Sequence, residues 1–281
     1  MKLVSFGAYE HERAGVLVNG EIIDLASADA SLPMSVLGIL EHNALDAVAD
    51  VVKSGKGTRV SEKSVRLGSP ITRPSKIVCV GLNYRDHAEE TKQPLPESPL
   101  LFSKASSASI GPYDSVILPA DSQEVDYEVE LAVVIGRKAT KVPITDAYQY
   151  IAGYSVANDV SARDVQFRQK QWHQGKSYDT FFPMGPCLVT KDEIPDPNAL
   201  HVQFALNGTI LQNSNTDNLI FNVPTLVSHI SNIMTLYPGD VISTGTPAGV
   251  GVFRNPKILL KPGDVMVTTV EGLGALRNEV K

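Results

Sequence analysis

One segment, residues 125–135 (VDYEVELAVVI), constrains the fold more than any other part of the chain. Its first half alternates acidic and apolar side chains, and its second half is apolar at every position. Successive side chains of a β-strand point to opposite faces, so Asp126, Glu128 and Glu130 would share one face, with neighbours about 6–7 Å apart. The uniformly apolar continuation is typical of a strand inside a sheet that is buried on both faces.

Three acids at the entrance of a buried strand allow two interpretations. The first is an amphipathic edge strand whose acidic side chains lie in water, which is their usual position in proteins. The second is a cation held between the carboxylates, because burial and mutual repulsion otherwise disfavour their charged forms. The strand alone leaves both interpretations open.

A further carboxylate for such a cation could come from segment 158–164 (NDVSARD). The simpler interpretation of Asp159 is an N-cap of the following helix. Ser161 and Asp164, however, have the S-x-x-D spacing of a capping box, which would leave Asp159 at the end of the preceding strand. Carboxylate ligands without histidine or cysteine favour Mg²⁺ or Mn²⁺.

The N-terminal part of the chain differs from the rest in its pattern. It contains two alternating segments that predict strands, one helical pattern and one linker-like polar stretch (residues 1–6, 14–25, 33–53 and 55–64). Asn19-Gly20 within the second segment is a hairpin signal. We predict a small N-terminal α+β domain over residues 1–70 and a second, larger domain over residues 71–281.

The larger part is rich in strand patterns and poor in helix patterns. Short apolar or alternating runs predict strands (residues 76–80, 125–135, 151–156, 202–207, 241–243 and 265–270). Helical spacing is limited to three segments (residues 84–92, 162–170 and 223–234). This balance predicts an α+β, mostly β fold with a large mixed sheet, and the lack of GxGxxG and GxxxxGK[ST] argues against a nucleotide-binding fold.

Composition limits the partners and the compartment. A net charge of −6 and a pI near 5.5 argue against nucleic acid or an anionic membrane as the main partner. No apolar stretch reaches membrane-spanning length. Cys79 and Cys187 form no CxxC pair, so we predict reduced cysteines and a cytoplasmic location. A mitochondrial matrix location is the alternative, if a presequence has been removed.

Several segments together resemble the fumarylacetoacetate hydrolase family. They occur in the family's order between about residue 73 and the C-terminus (residues 81–87, 126–130, 158–164, 171–181, 183–186 and 244–251). Residues 122–126 and 251–254 are most similar to the subfamily of fumarylacetoacetate hydrolase domain-containing protein 2. The resemblance implies a catalytic domain with a mixed β-sandwich or β-roll, preceded by a variable N-terminal domain.

The resemblance also implies a metal centre. Glu128, Glu130 and Asp159 would bind Mg²⁺ or Mn²⁺, and Lys176 would lie beside the metal and neutralise charge on the substrate oxygens. From the residues alone, Lys176 could equally be a solvated surface lysine, the usual position of that residue.

Five further residues receive roles from the resemblance. Arg163 and Gln166, three apart on a predicted helix, would bind the substrate carboxylate, although an exposed polar helix face explains their spacing equally well. Thr246, in a Gly/Pro-rich loop that could simply be a tight turn, would contact the ligand. His87 and Glu90 would form a pair that activates water, and an incidental surface pair is the alternative.

The function implied is cleavage of a C–C bond in an acylpyruvate or related diketo acid, through an enolate held at the metal. The same site chemistry would serve an oxaloacetate keto–enol tautomerase or decarboxylase, which is the first alternative. A non-catalytic module that binds a metal is the second. The expected partners are a small 2-oxo or diketo acid and a second copy of the chain, because members of the family are usually homodimers.

Overall fold

The computed structural model describes residues 1–168 and 170–281, and this part of the chain is mostly β. Its strands, numbered in chain order, are β1 (Lys2–Phe6), β2 (Arg13–Val18), β3 (Glu21–Asp24), β4 (Arg59–Ser61), β5 (Leu67–Gly68), β6 (Ile77–Gly81), β7 (Leu100–Lys104), β8 (Ser109–Ile110), β9 (Val125–Asp126), β10 (Val129–Ile135), β11 (Ile151–Asn158), β12 (Ser161–Ala162), β13 (Phe182–Thr190), β14 (His201–Leu206), β15 (Thr209–Asn215), β16 (Val241–Ser243), β17 (Val265–Val270) and β18 (Gly274–Glu279). Its α-helices are α1 (Leu25–Ala28), α2 (Val36–Glu41), α3 (Leu45–Ser54), α4 (Arg85–Thr91), α5 (Arg163–Arg168), α6 (His173–Lys176) and α7 (Val223–Ile233).

A large mixed sheet forms the centre of the molecule. Its main path runs β4-β3-β2-β1-β13-β11-β10-β16-β6-β7, while β5 pairs with β1 and β8 pairs with β13. Most neighbours are antiparallel, but β16 runs parallel to β6. A four-stranded sheet (β15-β14-β17-β18) and a two-stranded one (β12-β9) complete the architecture. The prediction of an α+β, mostly β fold with a large mixed sheet is confirmed.

The centre of the large sheet is buried on both faces. Every residue of β10, β11 and β13 is buried, as the uniformly apolar half of segment 125–135 predicted. The antiparallel register of β10 and β11 pairs Val129 with Asn158. This register places the start of β10 beside the end of β11, where the predicted metal ligands lie.

The segment that begins at residue 125 is not one continuous strand. Asp126 pairs with Ser161 in the β9–β12 ladder, and the chain then leaves the strand before β10 begins at Val129. Between them, the Tyr127 ring stacks on Phe204 with a centroid distance of 4.0 Å. The prediction that three acids share one face of a single strand is therefore wrong for Asp126, since this stacked residue interrupts the alternation.

The N-terminal strands join the same sheet as the rest of the chain. Strand β1 pairs with β13 through Lys2↔Val189 and Leu3↔Leu188. The predicted helix over residues 33–53 is two helices, α2 and α3, separated by a turn in which Asn43 has a left-handed φ of 51°. The prediction of a linker over residues 55–64 was wrong, because strand β4 lies within this segment and pairs with β3. The division into domains at residue 70 stays a prediction.

The predicted helices in the larger part correspond to α4, α5 and α7. Residue 169, within the predicted helix 162–170, lies outside the described residues. Along the described chain, no helix has the length and apolar character that crossing a bilayer requires.

Candidate active site

Three carboxylates meet where β10 begins and β11 ends. One oxygen from each of Glu128, Glu130 and Asp159 lies within 4.8 Å of the other two, and all three residues are buried. Glu128 precedes β10, Glu130 is its second residue, and Asp159 follows β11 and donates its backbone N–H to the Glu128 carbonyl at 2.9 Å. The structure thus brings together the three predicted metal ligands, and their burial excludes an edge strand with its acids in water.

Three buried cations surround these carboxylates. Lys176 Nζ lies 2.7 Å from Glu128 Oε2 and 2.9 Å from Asp159 Oδ2, so a solvated surface lysine is excluded. Lys104 Nζ donates to Asp159 Oδ1 at 2.5 Å. Arg163 Nη2 lies 2.6 Å from Glu128 Oε1. Lys104, the last residue of β7, was not among the predicted site residues, because no motif marks it.

The electrostatics of the three acids are unequal. Burial raises the pKa of Glu128, but Lys176 and Arg163 outweigh it and lower that pKa to about 2. Burial, together with the charges of Asp159 and Glu128, instead raises the pKa of Glu130. Among the described residues, no lysine, arginine or histidine lies within 4 Å of the Glu130 carboxylate.

A divalent cation fits this imbalance. It would supply the positive charge that Glu130 lacks, and it would keep all three buried carboxylates ionised. A donor set made only of carboxylate oxygens suits Mg²⁺ and Mn²⁺.

The helix α5 brings Arg163 and Gln166 to the same place. Both side chains are about 4% exposed, which excludes an exposed polar helix face. Arg163 Nη1 donates to Gln166 Oε1 at 3.0 Å. Within the described part of the chain, Arg163 Nη2 is buried and has no well-directed hydrogen-bond acceptor.

The capping box predicted before α5 is not formed. Ser161 lies in β12, and its hydroxyl donates to the Asp159 carbonyl at 2.8 Å. The Asp164 carboxylate accepts instead from the Ser122 hydroxyl at 2.6 Å and the Gln123 amide at 2.9 Å. Asp159 nevertheless lies at the end of its strand, as predicted, because the tight β9–β12 pairing delays the start of the helix.

His87 and Glu90 form the predicted pair on α4. The distance from His87 Nδ1 to Glu90 Oε2 is 3.0 Å, and the two side chains are only 12% and 20% exposed. The other oxygen of Glu90 accepts the backbone N–H of Gly249 at 2.9 Å. The Phe253 ring lies near the imidazole, with a centroid distance of 6.1 Å. The pair is therefore fixed by a neighbouring loop and is more than an incidental surface contact.

Thr246 lies in the loop after β16 and is buried. Its Oγ1 accepts a hydrogen bond from Gln212 Nε2 at 2.8 Å, and Gln212 Oε1 accepts the Val129 N–H at 2.9 Å. Because the hydroxyl oxygen is already an acceptor, the Thr246 proton is free to be donated to a ligand.

One cavity of about 390 Å³ connects these groups. Seven of the nine predicted site residues line it (His87, Glu128, Glu130, Arg163, Gln166, Lys176 and Thr246). Glu90 and Asp159 contact two of these, His87 and Lys176. Apolar side chains that were not among the predicted site residues also line it (Leu82, Leu100, Phe102, Phe167, Trp172 and Phe253). Of these six residues, Leu82, Trp172 and Phe253 lie in segments that carried the family resemblance.

The family of the chain can be decided by comparison with known proteins. A model of the fumarylacetoacetate (FAA) hydrolase C-terminal family matches residues 76–281. The chain belongs to the fumarylacetoacetate hydrolase family. The prediction made from its motifs is confirmed.

Its relatives cover almost its whole length. The Rattus norvegicus protein named mitochondrial oxaloacetate tautomerase Fahd2a is 46% identical over 286 aligned residues, which cover 100% of this chain and 91% of the relative. The name also agrees with the predicted subfamily. This chain is thus similar to an enzyme named for a 2-oxo acid substrate.

Two solved structures share the fold. Fumarylacetoacetate hydrolase from psychrophilic Exiguobacterium antarcticum is 36% identical with a TM-score of 0.87, over 100% of this chain and 99% of that one. Maleylpyruvate hydrolase from Sphingobium sp. SYK-6, solved with manganese(II) ion and pyruvate, is 31% identical with a TM-score of 0.83, over 100% and 98%. Family members with this fold therefore include a structure that holds manganese and a 2-oxo acid.

Proposed function

We propose that the chain catalyses the keto–enol tautomerisation of oxaloacetate. The observation that carries the proposal is the 46% identity, over the full chain, to a protein named oxaloacetate tautomerase. It is supported by a cavity in which a proton-transfer group, His87, lies with the three clustered carboxylates. This proposal reverses the order predicted from the sequence, in which C–C hydrolysis was preferred and tautomerisation was the alternative.

Glu128, Glu130 and Asp159 would hold Mg²⁺ or Mn²⁺. The bound ion would stabilise the negative charge that develops on the substrate's 2-oxygen. Lys176, 2.7 Å from Glu128 and lining the cavity, would add a second positive charge at the same place. An ammonium group so deeply buried stabilises an oxyanion far better than one in water, because the local dielectric constant is low.

Arg163, Gln166 and Thr246 would bind the carboxylates of the substrate. Each lines the cavity and carries a donor: the guanidinium of Arg163, whose Nη2 contacts Glu128 without a well-directed hydrogen bond, the amide of Gln166 and the hydroxyl of Thr246. Arginine is well suited to this task, since its planar guanidinium matches the two oxygens of a carboxylate.

His87 would move the proton at carbon 3. Its Nδ1 is occupied by Glu90, so Nε2 is the nitrogen available to a substrate. In the enol-to-keto direction Nε2 would donate a proton to carbon 3, and the electron pair of the C=C bond would form the new C–H bond. The enol O–H proton would pass to solvent water, and water would return a proton to Nε2. The Glu90 carboxylate would orient the ring and raise its basicity.

A substrate panel tests the proposal. We expect the Mg²⁺-loaded protein to accelerate the decay of the ultraviolet absorbance of enol-oxaloacetate, with a higher kcat/KM than for cleavage of acylpyruvates. Formation of pyruvate from oxaloacetate, measured in the same samples, reports decarboxylation. Acylpyruvate cleavage at a higher kcat/KM than tautomerisation would contradict the proposal.

Acylpyruvate hydrolysis is the second candidate. The likeness to maleylpyruvate hydrolase supports it, as does the His87–Glu90 pair, which could deprotonate a water molecule. Decarboxylation needs neither an attacking water nor a proton at carbon before the C–C bond breaks. We therefore expect decarboxylation to survive His87→Ala best, whereas Lys176→Ala should impair all three reactions.

Compartment and assembly are further parts of the proposal. The rat relative is named as mitochondrial, so we place this chain in the mitochondrial matrix or an equivalent compartment; the cytoplasmic prediction has no such support. We also propose a homodimer. Light scattering at micromolar concentration should then give about twice the chain mass of 30.3 kDa, and a particle of the chain mass would contradict it.

A further inference from the structure

Asp126 is the acid of segment 125–135 that does not join the other carboxylates. Its side chain is 0% exposed, and its carboxylate accepts four hydrogen bonds. Oδ2 accepts from Arg163 Nε at 2.9 Å and from the Val252 amide at 3.0 Å. Oδ1 accepts from the Gly251 amide at 2.8 Å and from the Tyr127 amide at 2.9 Å. One buried carboxylate therefore joins the first residue of α5 to the turn at Gly251.

The contact between this turn and Asp126 requires glycine at position 251. A Cβ on Gly251 would lie 2.6 Å from Asp126 Oδ1 and 1.9 Å from the Ile258 carbonyl, so only glycine allows the approach. Phe253 follows two residues later, lines the cavity and lies against the His87 ring. The turn that places Phe253 beside the imidazole is thus hydrogen-bonded to the same carboxylate that holds the guanidinium.

We propose that Asp126 is a positioning residue, which holds Arg163 and the turn that carries Phe253 in one fixed relation. Through Arg163 it sets where the substrate carboxylate binds, and through Phe253 it limits where the His87 ring lies. The inference rests on the proposed function in taking Arg163 as the carboxylate-binding group.

The variant Asp126→Asn isolates this role. An asparagine side chain has nearly the same shape, but one of its two terminal atoms is a donor. Whichever way the amide is turned, two of the four N–H groups around it lose their acceptor. If the NH2 group faces Arg163 it repels Nε–H, and the guanidinium then keeps its contacts with Glu128 and Gln166 but loses the one that fixes its Nε edge.

Binding can be measured without turnover. Trp172 is the single tryptophan of the chain and lines the cavity, so its fluorescence reports on ligands there. The probe is oxalate, a dianion that resembles the 2-oxo acid group, at a Mg²⁺ concentration that saturates each variant. We expect Asp126→Asn to raise the Kd of oxalate about 10- to 100-fold, the scale of a lost charge-assisted hydrogen bond. An unchanged Kd would overturn the proposal.

Asp240→Asn is the matched control. Asp240 is also a fully buried aspartate that pairs with a cation, Lys76, and accepts a backbone N–H, that of Tyr237 at 2.7 Å. It does not line the cavity. We expect it to lose stability as Asp126→Asn does while keeping the wild-type Kd, so that a general effect of a buried Asp→Asn change is separated from positioning.

A double-mutant cycle with Arg163→Met distinguishes a positioning role of Asp126 from a merely structural one. If Asp126 acts through Arg163, then Asp126→Asn should change the Kd by less than about twofold in the Arg163→Met background. Effects that multiply in the double variant would overturn the proposal.

A second variant covers the case in which Asp126→Asn does not fold. Arg163→Lys keeps the positive charge but has a single ammonium, which cannot serve both Asp126 and the cavity. We expect it to weaken oxalate binding at least tenfold, and wild-type binding by this variant would overturn the proposal. A wild-type protein that binds oxalate but shows no tautomerase activity would instead contradict the proposed function alone.

Discussion

The floor of the cavity and its rim hold their charged groups in different ways. The floor consists of Glu128, Glu130, Asp159, Lys104 and Lys176, all less than 10% exposed. Ion pairs of 2.5–2.9 Å connect every member except Glu130, which accepts hydrogen bonds from the Ser243 hydroxyl and the Gly245 amide instead. Four of the five lie in or directly beside strands of the large sheet, and Lys176 is the last residue of α6. A charge in such a place has no water to replace a missing partner.

The rim consists of His87, Glu90, Phe167 and Phe253. His87 and Glu90 lie on the two-turn helix α4, and the two aromatic rings are about half exposed. Contacts with the loop after β16, such as Gly249 N–H to Glu90, fix their positions. A charge on the floor is therefore electrostatically costly to remove, whereas a change on the rim lies close enough to water for solvent to replace part of a lost contact.

The largest effect on stability is expected at the floor. Lys104→Met should lower the free energy of unfolding of the metal-free protein by about 3–5 kcal/mol, because Asp159 stays buried and loses one of its two cations. Urea unfolding in the presence of a chelator measures it. Arg59→Met, which breaks an exposed ion pair with Glu21, is the control and should cost less than about 1 kcal/mol. Equal losses for both variants would remove the distinction between floor and surface.

The next effect concerns metal affinity. Glu128→Gln should weaken Mg²⁺ or Mn²⁺ binding, measured by calorimetry, by at least about 10- to 100-fold, since a direct ligand should count for more than the groups behind it. The variant should also lose stability, because Lys176 and Arg163 each lose the charge of a buried partner, so binding is measured at a temperature at which the variant is folded. Glu21→Gln on the surface should bind the metal like the wild type. Unchanged binding by Glu128→Gln would place the cation elsewhere.

The smallest effect is expected for Glu90, the rim residue that acts on His87. Glu90→Gln keeps an acceptor for the Gly249 amide but removes the charge beside His87. Tautomerase kcat should fall by roughly 3- to 10-fold with little change in stability, since the ring stays in place and loses only basicity. A larger fall than that of His87→Ala would mean that Glu90 acts on the substrate directly.

The sequence predicted the acidic residues of the floor better than its lysines. Glu128 and Glu130 could be located because an alternating acidic strand followed by a buried one is a local pattern. Lys104 could not be located, because its partner Asp159 is 55 residues away and their side chains meet only in the folded sheet, in which β7 and β11 are not neighbouring strands. Its residue type at the end of an ordinary strand carries no signal.

The prediction and the structure also differ at strand β13 and at Asp126. Strand β13 was not predicted, since Pro183, Gly185 and Pro186 within it read as turn residues, although the buried sheet accommodates them. The role of Asp126 was missed because its regular alternation with Glu128 predicted one continuous strand. The stacking of Tyr127 on Phe204 instead interrupts that strand. Tertiary packing overrode the local pattern in both cases.

The most direct test of the account is the rate at which His87→Ala converts enol-oxaloacetate to the ketone at saturating Mg²⁺. His11→Ala, an exposed histidine far from the cavity-lining residues in sequence, serves as the control. We expect the His87 variant to lose roughly 10²–10⁴-fold in rate, the usual contribution of a positioned acid or base, while the His11 variant stays at the wild-type rate. A wild-type rate in His87→Ala would contradict the claim that this cavity moves the proton through His87.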